Sequence, residues 1–140
     1  MSHLESEVTI GESRKLTERE LVALYESVSW SSARKPKLLL QALRNSHTLV
    51  TARCGRRLIG LGNAISDGFL VVYYPHLVVH PEYQRQGVGR RIVERLQARY
   101  AGFHQQALLA DGLAVEFYRK CGFYRAGKTE PMWIYDGDDH

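Results

Sequence analysis

The segment that decides the fold runs Leu77-Val-Val-His-Pro-Glu-Tyr-Gln-Arg-Gln-Gly-Val-Gly-Arg-Arg91. Its first residues are apolar and β-branched, which is typical of a buried strand. A loop containing Gly87 and Gly89 follows, and apolar residues at helical spacing predict a helix over residues 90–100. Glycines allow backbone N–H groups to turn toward a ligand, and the first turn of a helix adds the positive end of its dipole. The segment therefore predicts a cradle for a phosphate group, assisted by the side chains of Arg85, Arg90 and Arg91.

The two common nucleotide-binding loops do not match this glycine pattern. A P-loop requires Gly-Lys-Ser/Thr, which is missing, and a dinucleotide fingerprint requires a third glycine where Ile92 stands. An ordinary tight turn before a surface helix remains the alternative interpretation of this loop. Features elsewhere in the chain are needed to distinguish a phosphate cradle from an ordinary turn.

Upstream of this segment the sequence predicts one strand, two helices and three strands. Residues 7–10 predict a short strand, and Thr17-Glu-Arg-Glu20 is a capping box that opens a helix reaching about Ser27. A second helix over residues 35–44 starts at Pro36, a residue favoured in the first turn. Hairpin signals then separate three predicted antiparallel strands, which cover residues 48–54, 58–66 and 69–79.

Downstream, the sequence predicts a buried strand over residues 106–110 and a helix over residues 113–121, which Gly122 closes. Residues 123–125 and 132–135 predict a final pair of strands. The order of elements predicts an α/β fold with a mixed, mostly antiparallel sheet of six to seven strands and about four flanking helices. A regular doubly wound sheet does not fit this order.

Composition limits the class of protein. A chain of 140 residues, 44% hydrophobic and 24% charged, predicts a single globular domain over residues 1–140. No apolar run is long enough to span a bilayer, and residues 1–5 lack a basic segment followed by an apolar one, so we expect a cytoplasmic protein without membrane insertion. Neither Cys54 nor Cys121 lies in a Cys-x-x-Cys motif, and the histidines lack ligand spacing, so no metal site is predicted.

The formal net charge of +4 is modest, and its placement matters more than its size. Five arginines crowd residues 85–99, whereas acidic residues gather at both ends of the chain, including Glu5 and Asp139. This is unlike a uniformly basic nucleic-acid binder. We therefore expect an anionic ligand at the arginine-rich segment, and the charge distribution disfavours nucleic-acid binding as the main role.

Three features stand at fixed distances: Leu77-Val-Val79 followed by Pro81, the Gln84–Gly89 loop, and Phe117-Tyr-Arg-Lys-Cys-Gly-Phe123. Together they resemble the signature of the GCN5-related N-acetyltransferase (GNAT) family, whose members transfer an acetyl group from acetyl-CoA to an amine. The resemblance spans roughly residues 48–135. A weaker resemblance, carried by Val28-Ser-Trp30 and residues 42–46, is to small bacterial members and to plant chloroplast serotonin acetyltransferases.

The resemblance implies a binding mode for acetyl-CoA. The backbone amides of residues 86–91 would hold the pyrophosphate, and the backbone of Leu77 and Val79 would pair with the pantetheine arm like an added strand. A strand that opens away from its neighbour there would make room for the arm, and Pro75, which cannot donate to a ladder, suits such a break. Asp111 stands where many relatives have an asparagine that contacts the pantetheine amides. The residues expected at the cofactor are Leu77, Val78, Val79, Gln84, Arg85, Gln86, Gly87, Val88, Gly89, Arg90, Arg91, Asp111 and Tyr118.

The resemblance also implies catalytic roles. The Leu77 N–H would donate to the acetyl carbonyl as negative charge develops there, and Tyr118 would protonate the departing CoA thiolate. A core aromatic is the alternative interpretation of Tyr118. Relatives often carry a glutamate or histidine base at the positions of Tyr73 and Pro75, and neither residue is an obvious base. His76 is the candidate, directly or through a water, and proton transfer to bulk water is the other route.

The acceptor is expected to be the amine of a small molecule, an arylalkylamine or a polyamine. It would enter near Tyr25, Trp30 and Tyr73, because an indole at position 30 offers stacking or a cation–π contact. Trp30 as a core residue is the alternative. Two other functions stay open at this point: a CoA-binding regulatory module without turnover, and an RNA-directed acetylating toxin. A homodimer is likewise left open.

Overall fold

The computed structural model describes residues 7–138. Residues 1–6, which include Glu5, and residues 139–140, which include Asp139, lie outside it. Six strands of this range form one sheet in the order β1-β2-β3-β4-β6, and β5 pairs with β3 beside that path. Neighbouring strands are antiparallel except β4 and β6, which are parallel. The strands are β1 (Val8–Gly11), β2 (Thr48–Cys54), β3 (Arg57–Ser66), β4 (Val71–Tyr74), β5 (Leu77–Val79) and β6 (Gln105–Leu108).

In the described part of the chain four α-helices flank the sheet, as the sequence predicted: α1 (Glu18–Ser27), α2 (Pro36–Arg44), α3 (Val88–Arg99) and α4 (Val115–Lys120). The predicted capping box at the start of α1 is confirmed. Thr17 Oγ1 accepts a hydrogen bond from the Glu20 N–H at 3.2 Å, and a Glu20 carboxylate oxygen accepts one from the Thr17 N–H at 2.8 Å. These bonds satisfy two amides that the first turn of a helix leaves without partners.

The two faces of the sheet bury different helices. One apolar cluster joins α3 to the sheet and includes Ile59, Val72, Ile92 and Leu96, with Leu77 and Val79 at its border. The other joins α1 and α2 to the opposite face and is formed by Leu21, Leu24, Tyr25, Leu39, Leu43, Leu61, Val78 and their neighbours. Alternate residues of β5 therefore face α3 and α1, as the two-residue period of a strand requires.

The strand predicted over residues 69–79 is broken, and the expectation of an opening at Pro75 is confirmed. Proline has no N–H to donate to a ladder. Asn63 of β3 occupies the break: its N–H donates to the His76 carbonyl at 3.2 Å, and its side-chain oxygen accepts from the His76 N–H at 3.0 Å. Its amide nitrogen also donates to Ser46 Oγ at 2.9 Å. Beyond the break β5 stays on β3, whereas β4 is paired with β6, so the sheet opens between β5 and β6.

The final pair of strands predicted over residues 123–125 and 132–135 is wrong, because the structure has no strand in that part of the described chain. Gly122 and Gly127 adopt positive φ and turn the backbone, and Pro131 lacks an N–H. The segment instead reaches the start of α2, where Asp136 pairs with Lys35 at 2.7 Å. Side-chain contacts such as this ion pair, and not backbone hydrogen bonds between strands, attach the segment to the rest of the protein.

The strand predicted over residues 106–110 is present at Gln105–Leu108, but the expectation that it is buried is wrong. It ends the sheet path, and β4 is its one strand partner within residues 7–138. Residues at the end of a sheet are covered less fully than those in a central strand such as β3, which is buried over most of its length.

The structure also bears on membrane-spanning helices and on the state of the two cysteines. Within residues 7–138 no helix combines the length and apolar character needed to cross a membrane. Cys54 and Cys121 are both free thiols.

The close approach of α3 to β3 depends on Gly62. A Cβ at Gly62 would lie 2.8 Å from Ile92 Cγ2 and 3.0 Å from Leu96 Cδ1, both on α3. Gly62→Ala should therefore lower the free energy of unfolding by about 1–3 kcal/mol, the usual cost of overpacking. Gly11→Ala in β1 is the matched control, because a Cβ there meets nothing within 4 Å. Urea unfolding of the two variants checks this, and equal stabilities would contradict the contact.

Candidate active site

The opening between β5 and β6 exposes backbone groups of β5. In an antiparallel pair, residues alternate between bonding to the partner strand and facing away from it. The Asn63 N–H donates to the His76 carbonyl, and the His80 N–H donates to the Ile59 carbonyl at 2.8 Å. Residues 76, 78 and 80 therefore face β3, and the N–H groups of Leu77 and Val79 face the opening. An extended chain lying there would meet these donors.

A narrow cavity lies at the break in the sheet. Its volume is about 10 Å³, and its lining includes His76, Leu77, Leu108, Tyr118 and Phe123. The Tyr118 and Phe123 rings meet edge to face with centroids 6.0 Å apart. The structure thus brings three residues expected to be catalytic, His76, Leu77 and Tyr118, to one cavity. Because the cavity holds about one water, these side chains must separate to admit an acyl group.

Tyr118 lies on α4 with its ring facing this cavity. Burial, and to a smaller extent the nearby Cys121, raise the pKa of Tyr118 to about 12. A low-dielectric surrounding penalises the phenolate, so the hydroxyl keeps its proton at neutral pH. Tyr118 is therefore a proton donor that can give up its proton as another atom becomes basic.

The glycine loop is shaped by its own side chains. Gln84 Nε2 donates to the Val79 carbonyl at 2.9 Å, and Gln86 Nε2 donates to the Glu82 carbonyl at 3.0 Å. Arg85 and Gly87 both adopt positive φ, of 64° and 82°. The two glutamines thus fold the loop back onto β5 and bring the start of α3 beside the opening.

The first turn of α3 presents its amides next to that loop. Gly87 is the N-terminal cap, and the Arg91 N–H already donates to the Gly87 carbonyl at 3.1 Å. The amides of residues 88–90 have no acceptor within the helix, since the first turn of any helix leaves them unpaired. The buried Val88 side chain anchors this turn, and a Cβ at Gly89 would lie 3.4 Å from the Phe117 ring.

The arginines of this region divide into two groups. Arg90 pairs with Glu94 at 3.4 Å, and Arg95 and Arg99 both pair with Glu12. Arg85 and Arg91 form no ion pair within residues 7–138. Their positive charges therefore add to the helix dipole beside the loop.

Three aromatic rings form a cluster on the α1 side of the opening. The Tyr25 hydroxyl lies 2.7 Å from His76 Nδ1. The Trp30 ring meets His76 at a centroid distance of 5.3 Å and Tyr25 at 5.8 Å, both edge to face. Tyr25 is fully buried, whereas Trp30 and His76 are half-buried. The cluster connects the cavity at the break to the surface of α1.

A surface pocket of about 260 Å³ lies on the outer side of Trp30. Glu26, Arg34 and Asp138 supply its charges, and Arg34 pairs with Asp138 at 2.7 Å. Sequence reasoning missed Glu26 here, because a glutamate on an exposed helix face carries no signal of its own. It also missed Asn63, although an asparagine within an apolar strand was a detectable signal.

The remaining predicted residues lie apart from this centre. Tyr73 is 37% exposed on β4, and no ring contact between described residues joins it to Trp30 or His76. Asp111 is exposed, and its carboxylate accepts from the Leu113 N–H at 3.1 Å, which caps a short helical turn. Val78 is buried on the α1 side and pairs with Leu61, so its backbone faces away from the opening.

The structure therefore has an opened sheet with outward-facing backbone donors beside a glycine loop at a helix start, the arrangement that the sequence resemblance implied. The sequence profile of the acetyltransferase (GNAT) domain matches residues 44–125. The chain therefore belongs to the GNAT acetyltransferase family, and it is an acetyltransferase. This confirms the family and the fold class predicted from the sequence.

Relatives and solved structures agree with this assignment. The uncharacterized N-acetyltransferase ycf52 of Pyropia yezoensis is 27% identical, over 85% of this chain and 71% of that relative. The histone acetyltransferase TAP1 of Glycine max is 33% identical over 74% of this chain, which matches half of that protein. A GNAT-family acetyltransferase from Streptococcus pneumoniae superposes with a TM-score of 0.76 at 29% identity, covering 91% of this chain and 98% of the other.

Metal-ligating side chains are dispersed in the described range. No group of three or more histidine, cysteine, aspartate or glutamate residues within residues 7–138 lies close enough to hold a metal ion.

Proposed function

We propose that the protein transfers the acetyl group of acetyl-CoA to a primary amine of a small molecule by direct attack in a ternary complex. The observation that carries the proposal is the outward-facing backbone of Leu77 and Val79, set between the glycine loop and Tyr118. These groups supply a binding edge, an anion cradle and a proton donor around one opening of the sheet. The GNAT membership of the chain supports acetyl-CoA as the donor.

The residues present suit acetyl-CoA. Positive φ at Gly87 and the free amides of the first turn of α3 form a concave set of donors for a pyrophosphate. Arg85 and Arg91 add charge, and Arg90 can exchange Glu94 for a phosphate because that ion pair is exposed. The pantetheine amides would then pair with Leu77 and Val79 along the edge of β5.

The chemical step forms a C–N bond and breaks the C–S bond of the thioester. As the neutral amine attacks, the Leu77 N–H donates to the carbonyl oxygen, which gains negative charge; a donor of this kind contributes about 2.7–4 kcal/mol in related oxyanion sites. Tyr118 gives its proton to the departing sulfur. Since a phenol is less acidic than a thiol, that transfer is concerted with C–S cleavage. His76 and solvent water are the two groups that can take the proton lost by the amine.

We place the acceptor on the α1 side, at the pocket outside Trp30. The indole there offers a face or edge to an aromatic or cationic ligand. Arg34 and Asp138 neutralise each other in an ion pair, so Glu26 leaves the pocket with a net negative charge that favours a cation. An arylalkylamine or a polyamine carries the matching groups. The cytoplasmic location, the single domain and a homodimer stay predictions.

The decisive experiment measures release of free CoA by the purified protein with aromatic amines, polyamines, amino sugars and peptide N-termini. Turnover with at least one small amine is expected. Acetyl-CoA binding without turnover on any acceptor would instead indicate a CoA-binding module. Acetylation of tRNA, with binding that weakens steeply as salt rises, would indicate an RNA-directed enzyme.

The glycine loop can be tested at Gly87, where a Cβ meets nothing within 4 Å and the cost is backbone strain alone. Gly87→Val should weaken acetyl-CoA binding at least about tenfold, because the strained residue caps the helix that holds the phosphate. Gly102→Val is the matched control, since Gly102 has a φ of 85°, has equally open space and lies beyond the far end of α3. Calorimetry showing the same affinity for both variants would remove the cradle from this loop.

Tyr118→Phe tests the proton donor. The variant should lower kcat by about 10²–10⁴, the range for loss of a general acid, with little change in acetyl-CoA affinity. Tyr124→Phe is the control, because Tyr124 is 87% exposed. Turnover of Tyr118→Phe within about twofold of wild type would return Tyr118 to a packing role.

Trp30→Ala tests the acceptor side. If the indole contacts the acceptor, KM for the best amine should rise about fivefold or more, as a lost stacking or cation–π contact predicts, while KM for acetyl-CoA changes little. Phe69→Ala, which removes an 89% exposed ring in the turn between β3 and β4, serves as the control. A fall in melting temperature with an unchanged amine KM would show that Trp30 is a core residue.

A further inference from the structure

The pocket outside Trp30 and the cavity at the break in the sheet are separate spaces. Within residues 7–138 no residue lines both: Trp30 borders the pocket, and His76 borders the cavity. The two rings meet edge to face with centroids 5.3 Å apart, so one pair of aromatic rings stands between the two spaces. The cavity is where Leu77 and Tyr118 lie. An acceptor held in the pocket therefore needs a second end that reaches past Trp30 to the reacting atoms.

The turn after α1 places Glu26 beside the indole. Ser29 adopts a positive φ of 60°, which is uncommon for a residue with a side chain. The Ser29 N–H donates to the Glu26 carbonyl at 3.0 Å. The Trp30 N–H donates to the Tyr25 carbonyl at 3.1 Å. These bonds turn the chain back on the end of the helix, so that Glu26, Ser29 and Trp30 line one pocket.

Glu26 is the carboxylate of this pocket that forms no ion pair within residues 7–138. Arg34 pairs with Asp138 at 2.7 Å, and the next cation along the chain, Lys35, pairs with Asp136 at 2.7 Å. Glu26 is exposed, so a ligand can reach it without displacing a protein group. A cation that enters the pocket meets this carboxylate and the indole together, and an indole face also attracts a cation.

We propose that Glu26 determines specificity by binding a second cationic group of the acceptor, so that the preferred substrate is a linear diamine or polyamine. The proposal rests on the acceptor side assigned under the proposed function. The distal ammonium pairs with Glu26, and the carbon chain passes the Trp30 and His76 rings. The near nitrogen loses its proton and attacks the thioester. The distal nitrogen keeps its charge, because an alkylammonium resembles that of lysine, whose pKa is about 10.4.

Matched substrates test the second charge. Linear diamines with three to eight carbons are compared with alkylamines of the same carbon number, by release of free CoA. The best diamine should exceed its alkylamine in kcat/KM by about fivefold or more, as an exposed ion pair predicts, whereas two equivalent nitrogens alone give about twofold. The shortest diamines should lose the advantage, because they cannot join the pocket to the cavity. Ratios near twofold at every length would overturn the proposal and leave acetylation of small amines intact.

Glu26→Gln removes the charge and keeps the size of the side chain. The ratio of diamine to alkylamine kcat/KM should then fall to about twofold. Glu18→Gln is the matched control, because Glu18 lies on the same helix about 12 Å away along its axis, beyond the Debye length of about 8 Å at physiological ionic strength. That variant should keep the wild-type ratio. An unchanged ratio in Glu26→Gln would overturn the proposal, and so would an arylalkylamine that is preferred to every diamine with a KM independent of Glu26.

Binding can be followed without turnover. The chain has two tryptophans, so the indole ¹H–¹⁵N signal of Trp30 is assigned by its loss in Trp30→Phe. With CoA present, hexamethylenediamine should shift this signal at lower concentrations than hexylamine does, and Glu26→Gln should remove the difference. If no amine is acetylated but the Trp30 signal responds in this way, the proposed function fails and the Glu26 site stands. Equal midpoints for the two ligands in wild type would overturn the Glu26 site, whether or not turnover is observed.

Discussion

Asn63 is the residue on which the site depends. By bonding to both backbone groups of His76, it keeps β5 on β3 after Pro75 has interrupted the strand. The Asn63 side-chain oxygen accepts the hydrogen bond of the His76 N–H in place of a backbone carbonyl. The Asn63 side-chain nitrogen donates to Ser46 Oγ, which fixes the orientation of the amide. A buried N–H without a partner would cost about 1–3 kcal/mol, so the opening is stable because this asparagine fills it. The donors of Leu77 and Val79 face outward as a consequence.

The side of the site that we propose for acetyl-CoA depends on how closely α3 lies on the sheet. Gly60 and Gly62 leave β3 without side chains where Ile92 and Leu96 approach. This contact sets the position of α3, and the Gln84 side chain then ties the glycine loop to the end of β5. The helix dipole, the free amides and the edge of β5 thus meet at one end of the opening. Catalysis by arranged backbone donors requires such rigid placement, since the gain depends on donors that need no rearrangement.

The side of the opening that we propose for the acceptor has a different character. Its residues come from α1, the turn after it and the last described residues, and charged groups surround a half-buried indole. Tyr25 and His76 connect this surface to the cavity at the break. A donor site built from backbone serves any family member that uses the same donor. An acceptor site built from side chains can vary, because it is free of the constraints of the sheet.

Local patterns in the sequence determined much of the fold. The capping box of Thr17 and Glu20, the turns around Gly55 and Asp67 and the break at Pro75 each act within a few residues, so they could be predicted. The Gly87 loop and Tyr118 could be named from their spacing and the family resemblance. The sequence did not determine the path of residues 123–135, where an apolar pattern suggested strands. There the ion pair of Asp136 with the distant Lys35 and the stacking of Trp133 on Tyr135 outweigh local propensity. Nor could it show Asn63 in the break, Tyr25 on His76 Nδ1 or Glu26 beside Trp30. His76 lies 13 residues from Asn63 and 51 residues from Tyr25, and the distant Asp138 completes the pocket that Glu26 and Trp30 line. Tertiary packing alone brings these residues together.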